Sequence, residues 1–180
     1  MDGASINVAV AGEARIEQRL HALAASFGDL FDLMDGIGLY LESATDERFD
    51  KEIAPDGSKW EPSQRVLEQG GKTLTKTPRL RPSVTHLASR DEVEVGTNVK
   101  YAPPHQSGID EQVSVKAHER TIYQAFGRPL PGGLNVSVGA FTRQMTMPQR
   151  EFLGVNDDDE AEIMLQAEEY ALDAVPEIER

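Results

Sequence analysis

One stretch near the middle of the chain decides the predicted fold: Val95-Gly96-Thr97-Asn98-Val99-Lys100-Tyr101-Ala102-Pro103-Pro104-His105-Gln106-Ser107-Gly108. Glutamate and valine alternate over residues 92–95, the period-two pattern of a half-buried strand, and the glycine that follows ends that pattern. The prolines at 103–104 fix their own backbone angles and favour an extended conformation in the residues before them. We therefore expect Tyr101 and Ala102 to be extended and His105 to follow in a rigid, exposed loop, which suits docking better than catalysis.

The composition predicts one acidic domain with exposed loops. The 180 residues include 18 basic and 31 acidic side chains, a net charge of -13, and the mean hydropathy is -0.45. An acidic protein repels phosphate backbones, although a basic stripe of Lys72, Lys76, Arg79 and Arg81, with Arg143 and Arg150 later, leaves local nucleic-acid binding open. The absence of cysteine excludes disulfides and thiolate metal sites. Without a long apolar run or a signal-like start, we expect a soluble chain made in the cytoplasm.

The N-terminal half reads as helical. Residues 1–11 suggest a short strand or arm, and apolar residues at helical spacing predict a first helix over 13–27 and a second from Asp29 or Asp32 to Phe49. Glycines 36 and 38 lie on the apolar face of the second helix, where they would let another helix approach closely. A turn then delivers the only tryptophan, Trp60, and a short helix follows over residues 62–69.

The C-terminal half reads as a sheet followed by a helix. Strands at Ser83–Ser89 and 92–95 would pair as a hairpin, and residues 112–117 and 136–140 also alternate. The last helix begins after Asn156, a good helix cap, with four acidic residues in its first turn that the helix dipole favours; we prefer this interpretation to a calcium loop.

The predicted fold class is α+β, with N-terminal helices packed on an antiparallel β-sheet with long loops, and a C-terminal helix. We predict a single domain. Its parts are an arm over 1–11, a core over 12–155 with inserted loops at 55–60, 70–82, 96–111 and 127–135, a helix over 156–175 and a tail over 176–180.

No motif for catalysis or metal binding stands out. The four histidines, at positions 21, 86, 105 and 118, show no metal-ligand spacing, and there is no nucleophile elbow. Gly70-Gly71-Lys72-Thr73 ends like a phosphate-binding loop, but Val66 stands where the first glycine is required. We therefore expect no cofactor, no metal and no catalytic residue, with His105 the one histidine left open as a ligand or base.

A set of short motifs, taken together and in order, carries a resemblance to a known family. They are Pro55-Asp56-Gly57 with Trp60, Leu80 with Ser83, Val95-Gly96-Thr97, Tyr101-Ala102, His105-Gln106 with Gly108, Lys116-Ala117-His118, Gln124-Ala125-Phe126-Gly127-Arg128, and Pro148, Arg150 and Phe152-Leu153-Gly154. Over residues 13–174 the chain resembles the virion morphogenesis, or tail completion, proteins of tailed phages of the Mu type. It departs from their pattern at Pro103-Pro104 and at Glu119.

The resemblance implies a structural virion protein that is not an enzyme. It would complete the tail at its head-proximal end for head–tail joining, as a ring of this chain, expected to be a hexamer, built in the host cytoplasm. Its partners would be tail tube and neck or connector proteins; DNA could pass through the lumen without sequence-specific contacts, and no membrane is involved. Negative lumen walls would not grip phosphates.

Alternatives remain at this point. A minor head protein in capsid morphogenesis fits the same family, a small hydrolase could pair His105 with a carboxylate such as Asp110, and a nucleic-acid module could line the portal channel. From the residues we predict inter-subunit or tail-facing contacts at Trp60, Tyr101, His105, Gln106 and Arg150. The competing interpretation is that all five stabilise the fold, with Trp60, Tyr101 and Phe152 in the core.

Overall fold

A computed structural model describes residues 6–8 and 28–174 of the chain, and these fall into two compact units. We call Gly108–Met147 the hairpin unit, and the described residues before and after it the helical unit. The fold is α+β, as predicted. The predicted first helix over 13–27, with His21, and the tail over 176–180 lie outside the described residues.

The helical unit is built on one long helix, α1 (Phe31–Lys51), which begins where Asp29 Oδ1 accepts a hydrogen bond from the Phe31 amide at 3.1 Å. Its apolar stripe is buried and packs against a three-stranded antiparallel sheet. The strands are β1 (Ile6–Val8), β2 (Val84–Ala88) and β3 (Val93–Thr97), with β3 in the centre. The β2–β3 hairpin pairs His86 with Val95, which confirms the predicted hairpin.

Two short helices lie in the connections of this unit. The predicted one is present as α2 (Gln64–Gln69), and Gly70 ends it with a positive φ. The other, α3 (Ala102–Ser107), replaces the extended loop that the prolines predicted over 96–111. The prediction was wrong because the first turn of a helix leaves its amide groups without intrahelical partners, so a proline there loses no hydrogen bond.

The C-terminal helix α4 (Asp157–Ala174) starts with a reciprocal cap. Asn156 Oδ1 accepts from the Asp159 amide at 2.8 Å, and Asp159 Oδ2 accepts from the Asn156 amide at 2.9 Å. Ile163 and Ala167 are buried in the same core as α1. The predicted helix start at Asn156 is therefore confirmed, and two orphan amides at the helix start are satisfied by the pair.

The two glycines of α1 face different neighbours, one on the sheet and one on α4. A Cβ at Gly38 would lie 2.3 Å from Cδ2 of His86, so the close neighbour there is a histidine ring on β2 and not a helix. At Gly36 the nearest atom is Oε1 of Gln166 on α4, at an ordinary 3.5 Å. The prediction of a close helix was thus wrong at Gly38, because the packing partner of that turn is the sheet.

The hairpin unit consists of four strands in two ladders. Strand β4 (Ile109–Val115) pairs with β7 (Phe141–Met147), and β5 (His118–Ala125) pairs with β6 (Arg128–Val138). The register does not change between the ladders: Val115 faces Phe141, and His118 faces Val138 after two residues on each strand. The unit is therefore one long antiparallel hairpin with an interruption.

The loop predicted over 127–135 is instead a tight turn followed by most of β6. The register shifts between Ile122 and Gln124, where residues 130–133 of β6 bulge opposite a single residue of β5. Gly132 and Gly133 have positive φ in that bulge. The glycines and prolines do interrupt the regular pairing, as predicted. The interruption is a bulge within β6, however, and the antiparallel pairing continues on both sides of it.

Candidate interaction sites

The predicted site residues of the helical unit converge on one irregular segment, Pro148–Gly154. Gln106 forms a clamp on it: the side-chain oxygen accepts from the amides of Phe152 and Leu153, each at 3.1 Å, and Nε2 donates to the Leu153 carbonyl at 2.7 Å. Phe152 and Leu153 are buried. A buried loop has no ladder to satisfy its backbone, so one amide side chain does it here.

Trp60 contributes to the same segment from the other side. Its indole Nε1 donates to the Glu151 carbonyl at 2.8 Å, its ring packs edge-on against Phe49 at 5.4 Å, and the residue is 5% exposed. Phe49 also packs against Phe152, with ring centroids 5.3 Å apart. Trp60 is therefore a core residue that also satisfies a loop carbonyl.

Arg150 and His105 meet through the backbone. The Arg150 amide donates to the His105 carbonyl at 2.7 Å, and Arg150 Nε donates to the Glu61 carbonyl, also at 2.7 Å. Burial lowers the pKa of the Arg150 guanidinium. Burial, and then the neighbouring Arg150 charge, lowers the pKa of His105, whose Nδ1 is buried with no hydrogen-bond partner among the described residues. A neutral imidazole is thus favoured there.

Tyr101 is the most exposed of the five predicted residues. Its ring meets His105 edge-on with centroids 6.1 Å apart, and 39% of the residue remains accessible. The structure therefore brings all five together in one unit: Trp60, Gln106 and Arg150 hold the Pro148–Gly154 segment, whereas Tyr101 offers a free aromatic face. Their role at an interface stays a prediction.

Sequence reasoning missed a buried ion pair. Arg48 of α1 pairs with Asp159 of α4, and the two residues are 4% and 3% exposed. Arg48 also donates to the carbonyls of Phe152 and Gly154, and Asp159 accepts from the Tyr40 hydroxyl at 3.0 Å. Burial, followed by that hydrogen bond, raises the pKa of Tyr40 to about 12.

The signal for this pair was present in the sequence. Arg48 lies on the buried stripe of α1, seven residues after Leu41 and next to Phe49, where a charge needs a partner. The acidic first turn of α4 supplied four candidates, and nothing local to the helix selects the third of them, Asp159.

A second polar cluster lies between α1 and β2. His86 Nδ1 is 2.8 Å from Glu42 Oε1, and Nε2 is 3.0 Å from Asp35 Oδ1. Burial lowers the pKa of His86, but the hydrogen bonds to Asp35 and Glu42 outweigh it, so the pKa is raised. The ring lies against Gly38, which explains why α1 carries a glycine there.

Two of the four residues in the basic stripe, Lys72 and Arg81, have acidic partners on α1. Lys72 Nζ lies 2.9 Å from Asp50 Oδ1, and Arg81 pairs with both Asp46 and Asp50 on α1. Among the residues that the structure describes, no group of three or more His, Cys, Asp or Glu side chains is placed to hold a metal ion. Over that same part of the chain, no helix is long and apolar enough to cross a membrane.

The hairpin unit has no core of its own. None of the residues in Gly108–Met147, all of which the structure describes, is buried. The β4–β7 ladder carries its apolar side chains at odd positions, and the β5–β6 ladder carries Ile122, Leu134, Val136 and Val138 at even ones. A two-stranded ribbon cannot cover such faces itself and is marginal in water.

The tip of the hairpin combines exposure with backbone strain. Ala125 pairs with Arg128, and the two residues between them, Phe126 and Gly127, have φ of 51° and 75°. Two positive φ values are typical of a type I′ turn, which prefers Asn or Gly at the first position. Phe126 is nevertheless an aromatic residue, and it is fully exposed at 103%.

Comparison with known proteins gives one match. The model of a family described as the Phage virion morphogenesis family matches residues 12–171. No curated protein and no solved structure matches the chain.

Proposed function

The chain belongs to the phage virion morphogenesis family, and from that membership we propose that it completes the tail at its head-proximal end, as a ring that joins tail to head. The family supports a structural role in building the virion. The position at the tail end, the closed ring and the expected hexamer are our proposal. The proposed neighbours are the tail tube on one side and the neck or connector proteins on the other.

The observation that carries this proposal is the hairpin unit. It exposes Tyr123, Phe126, Leu134 and Phe141, and none of its residues is buried within the single chain. A small unit that exposes several large apolar side chains and buries none of its residues is typical of an interaction site. A protein that completes a particle needs such a surface, because its exposed apolar side chains become buried only when it binds its neighbours.

The five predicted interface residues take two roles in this proposal. Trp60, Gln106 and Arg150 stabilise the Pro148–Gly154 segment from within, through bonds to its backbone and to the Glu61 carbonyl. Tyr101, with His105 behind it, is the side chain of the helical unit that we expect to contact a neighbouring protein.

Acidity fits a passage for DNA. The chain carries a net charge of -13, and negative lumen walls would let a phosphate backbone pass without binding it. We therefore propose that acidic side chains line the lumen of the ring. A structure of the assembled ring with every one of them on the outer rim would contradict this.

Tail purification tests the proposed position. In cells infected with a phage whose heads cannot form, finished tails should retain the protein at six copies per tail, and the purified protein should bind the end of tail tubes in vitro. Heads purified from a tail-defective phage serve as the matched control. Retention in empty heads and absence from tails would instead assign the protein to capsid morphogenesis.

A substitution at His105 tests the alternative of a small hydrolase that uses His105 with a carboxylate such as Asp110. Asp110 accepts hydrogen bonds from Gln144 at 2.6 Å and Thr146 at 3.2 Å within the hairpin unit. His105→Ala should either change particle assembly or change nothing. Particles that look complete but are not infectious would support the enzyme.

A further inference from the structure

We propose that the tip and apolar face of the β5–β6 ladder dock on the helical unit of a second copy of this chain, with Phe126 as the anchor. This rests on the proposed ring and names the surface that closes it. Three observations support this: strain at an exposed aromatic residue, an apolar face with no buried residue, and opposite net charge on the two parts of the chain.

The strain at Phe126 has no local benefit. A bulky residue in the left-handed region is disfavoured, and Asn or Gly would form the same turn more easily. A fully exposed phenylalanine is also unfavourable in water. Backbone strain and exposure of the ring both make Phe126 unfavourable in the free chain, which a role in the assembled ring explains. Aromatic residues are common anchors of interfaces.

The face next to the tip extends the contact. Ile122, Leu134, Val136 and Val138 share one side of the ladder, and His118 and Arg120 lie on that side too, opposite Val138 and Val136. The other side carries Thr121, Asn135 and Ser137, and Tyr123 lies there over Gly133. One side is therefore suited to burial in a partner, and the other supplies matched control positions.

Charge selects the occupant. The hairpin unit has four basic residues, Lys116, Arg120, Arg128 and Arg143, and three acidic ones, so its net charge is +1 and the remainder of the chain carries -14. Two of the three acids, Asp110 and Glu111, lie at the start of β4, so residues 112–147 carry +3. Complementary charge favours contact between the hairpin unit of one copy and the helical unit of the next.

Contact between two different surfaces has a geometric consequence. An interface in which one patch binds a different patch on the next copy is heterologous, and repetition of it generates a ring when the rotation closes. Hairpin-to-hairpin contact would be a different, isologous arrangement, and the like charges of residues 112–147 disfavour it.

Photo-cross-linking identifies the occupant directly. Phe126 is replaced by a photoreactive phenylalanine analogue in the full chain, and purified tails assembled from a mixture of isotopically light and heavy copies are irradiated. We expect light–heavy adducts whose second peptide lies outside 108–147. Adducts that join two hairpin tips, or that reach only another virion protein, would overturn the proposal.

Substitutions test the energetics with matched controls. Phe126→Asn should leave the hairpin at least as well formed, yet weaken self-association by about tenfold or more. The double substitution Leu134→Asp with Val136→Asp should do the same, whereas Asn135→Asp with Ser137→Asp, which adds the same charge on the opposite face of the same strand, should weaken it much less. Analytical ultracentrifugation gives the association constants, and far-UV circular dichroism checks the fold.

The outcomes separate this inference from the proposed function. If the unaltered protein is found on tails as a multimer and the Phe126 and Leu134/Val136 variants assemble as it does, the docking surface is wrong and the ring stands. If tails never contain the unaltered protein, the proposed function fails first. Equal loss in the variants and in the Asn135/Ser137 control would also overturn the inference, because the effect would then not depend on the apolar face.

Discussion

At the centre of the helical unit, individual side chains form the hydrogen bonds that the backbone of an irregular segment would otherwise lack. Gln106, Trp60 and Arg48 each bond carbonyl groups of residues 151–154, and Asp159 neutralises Arg48 in the same place. Each of these groups would otherwise be a buried polar atom without a partner, which costs about 1–3 kcal/mol. Residues that resemble a family motif therefore have a physical task within one chain.

The ion pair gives the first prediction. Asp159→Asn leaves the buried Arg48 charge uncompensated and should lower the free energy of unfolding by about 3–5 kcal/mol. Asp158→Asn, its exposed neighbour in the same helical turn, should change it by less than about 0.5 kcal/mol. Urea denaturation monitored by Trp60 fluorescence measures both; similar small effects in the two variants would contradict a structural ion pair.

His86 gives a prediction about pH. Its pKa is raised in the folded state, so its contribution to stability is fully present below the unfolded value of about 6.5 and is lost as pH rises through the folded value. The contribution of His86 to the free energy of unfolding should therefore fall with increasing pH above about 6.5, whereas His105, with its lowered pKa, contributes in the opposite sense. His86→Gln should flatten this slope, and His118→Gln, at an exposed position of β5, should not; an unchanged slope in His86→Gln would refute the assignment.

At the scale of elements, the fold depends on how closely α1 approaches its neighbours. The helix packs on β2 and β3 on one side and on α4 on another, and its glycines face both. Glycine costs about 1 kcal/mol relative to alanine in a helix interior. The structure explains that cost at one position and not at the other.

The two glycines make a matched pair. Gly38→Ala would place a Cβ 2.3 Å from the His86 ring and should destabilise the fold by about 1–3 kcal/mol. Gly36→Ala meets only Gln166 at 3.5 Å and should stabilise the fold by up to about 1 kcal/mol. Thermal unfolding of the two variants measures this. Equal shifts of the melting temperature in the same direction would show that the close approach of His86 does not decide the effect at Gly38.

At the scale of the whole molecule, the two units differ in how they hold together. All of the buried apolar residues in the described chain belong to the helical unit, and the hairpin unit contains none. Unequal burial implies unequal local stability, so the hairpin unit should open first in native-state hydrogen exchange.

A shortened chain tests this division. Replacing residues 116–140 with Asn-Gly would close the β4–β7 ladder at the Val115–Phe141 pair with a two-residue turn. We expect the unfolding free energy of the helical unit to change by less than about 1 kcal/mol, because no core residue is removed. A loss of more than about 3 kcal/mol would show that the distal ladder stabilises the unit in the free chain.

The sequence by itself determined the elements whose signals are local. The apolar period of α1, the paired strands β2 and β3, and the Asn156 cap of α4 were all readable, and the ordered motifs indicated the family that the match over residues 12–171 confirms. Periodicity and capping act within a few residues, so a single sequence contains them.

Tertiary structure alone decided which side chain meets which. The helix at Ala102–Ser107, the bulge over residues 130–133, the choice of Asp159 for Arg48 and the clamp of Gln106 on Phe152 and Leu153 each join residues that local rules treat separately. The physical reason is that a buried polar group must find a partner somewhere in the fold, and the sequence shows the need without showing the place.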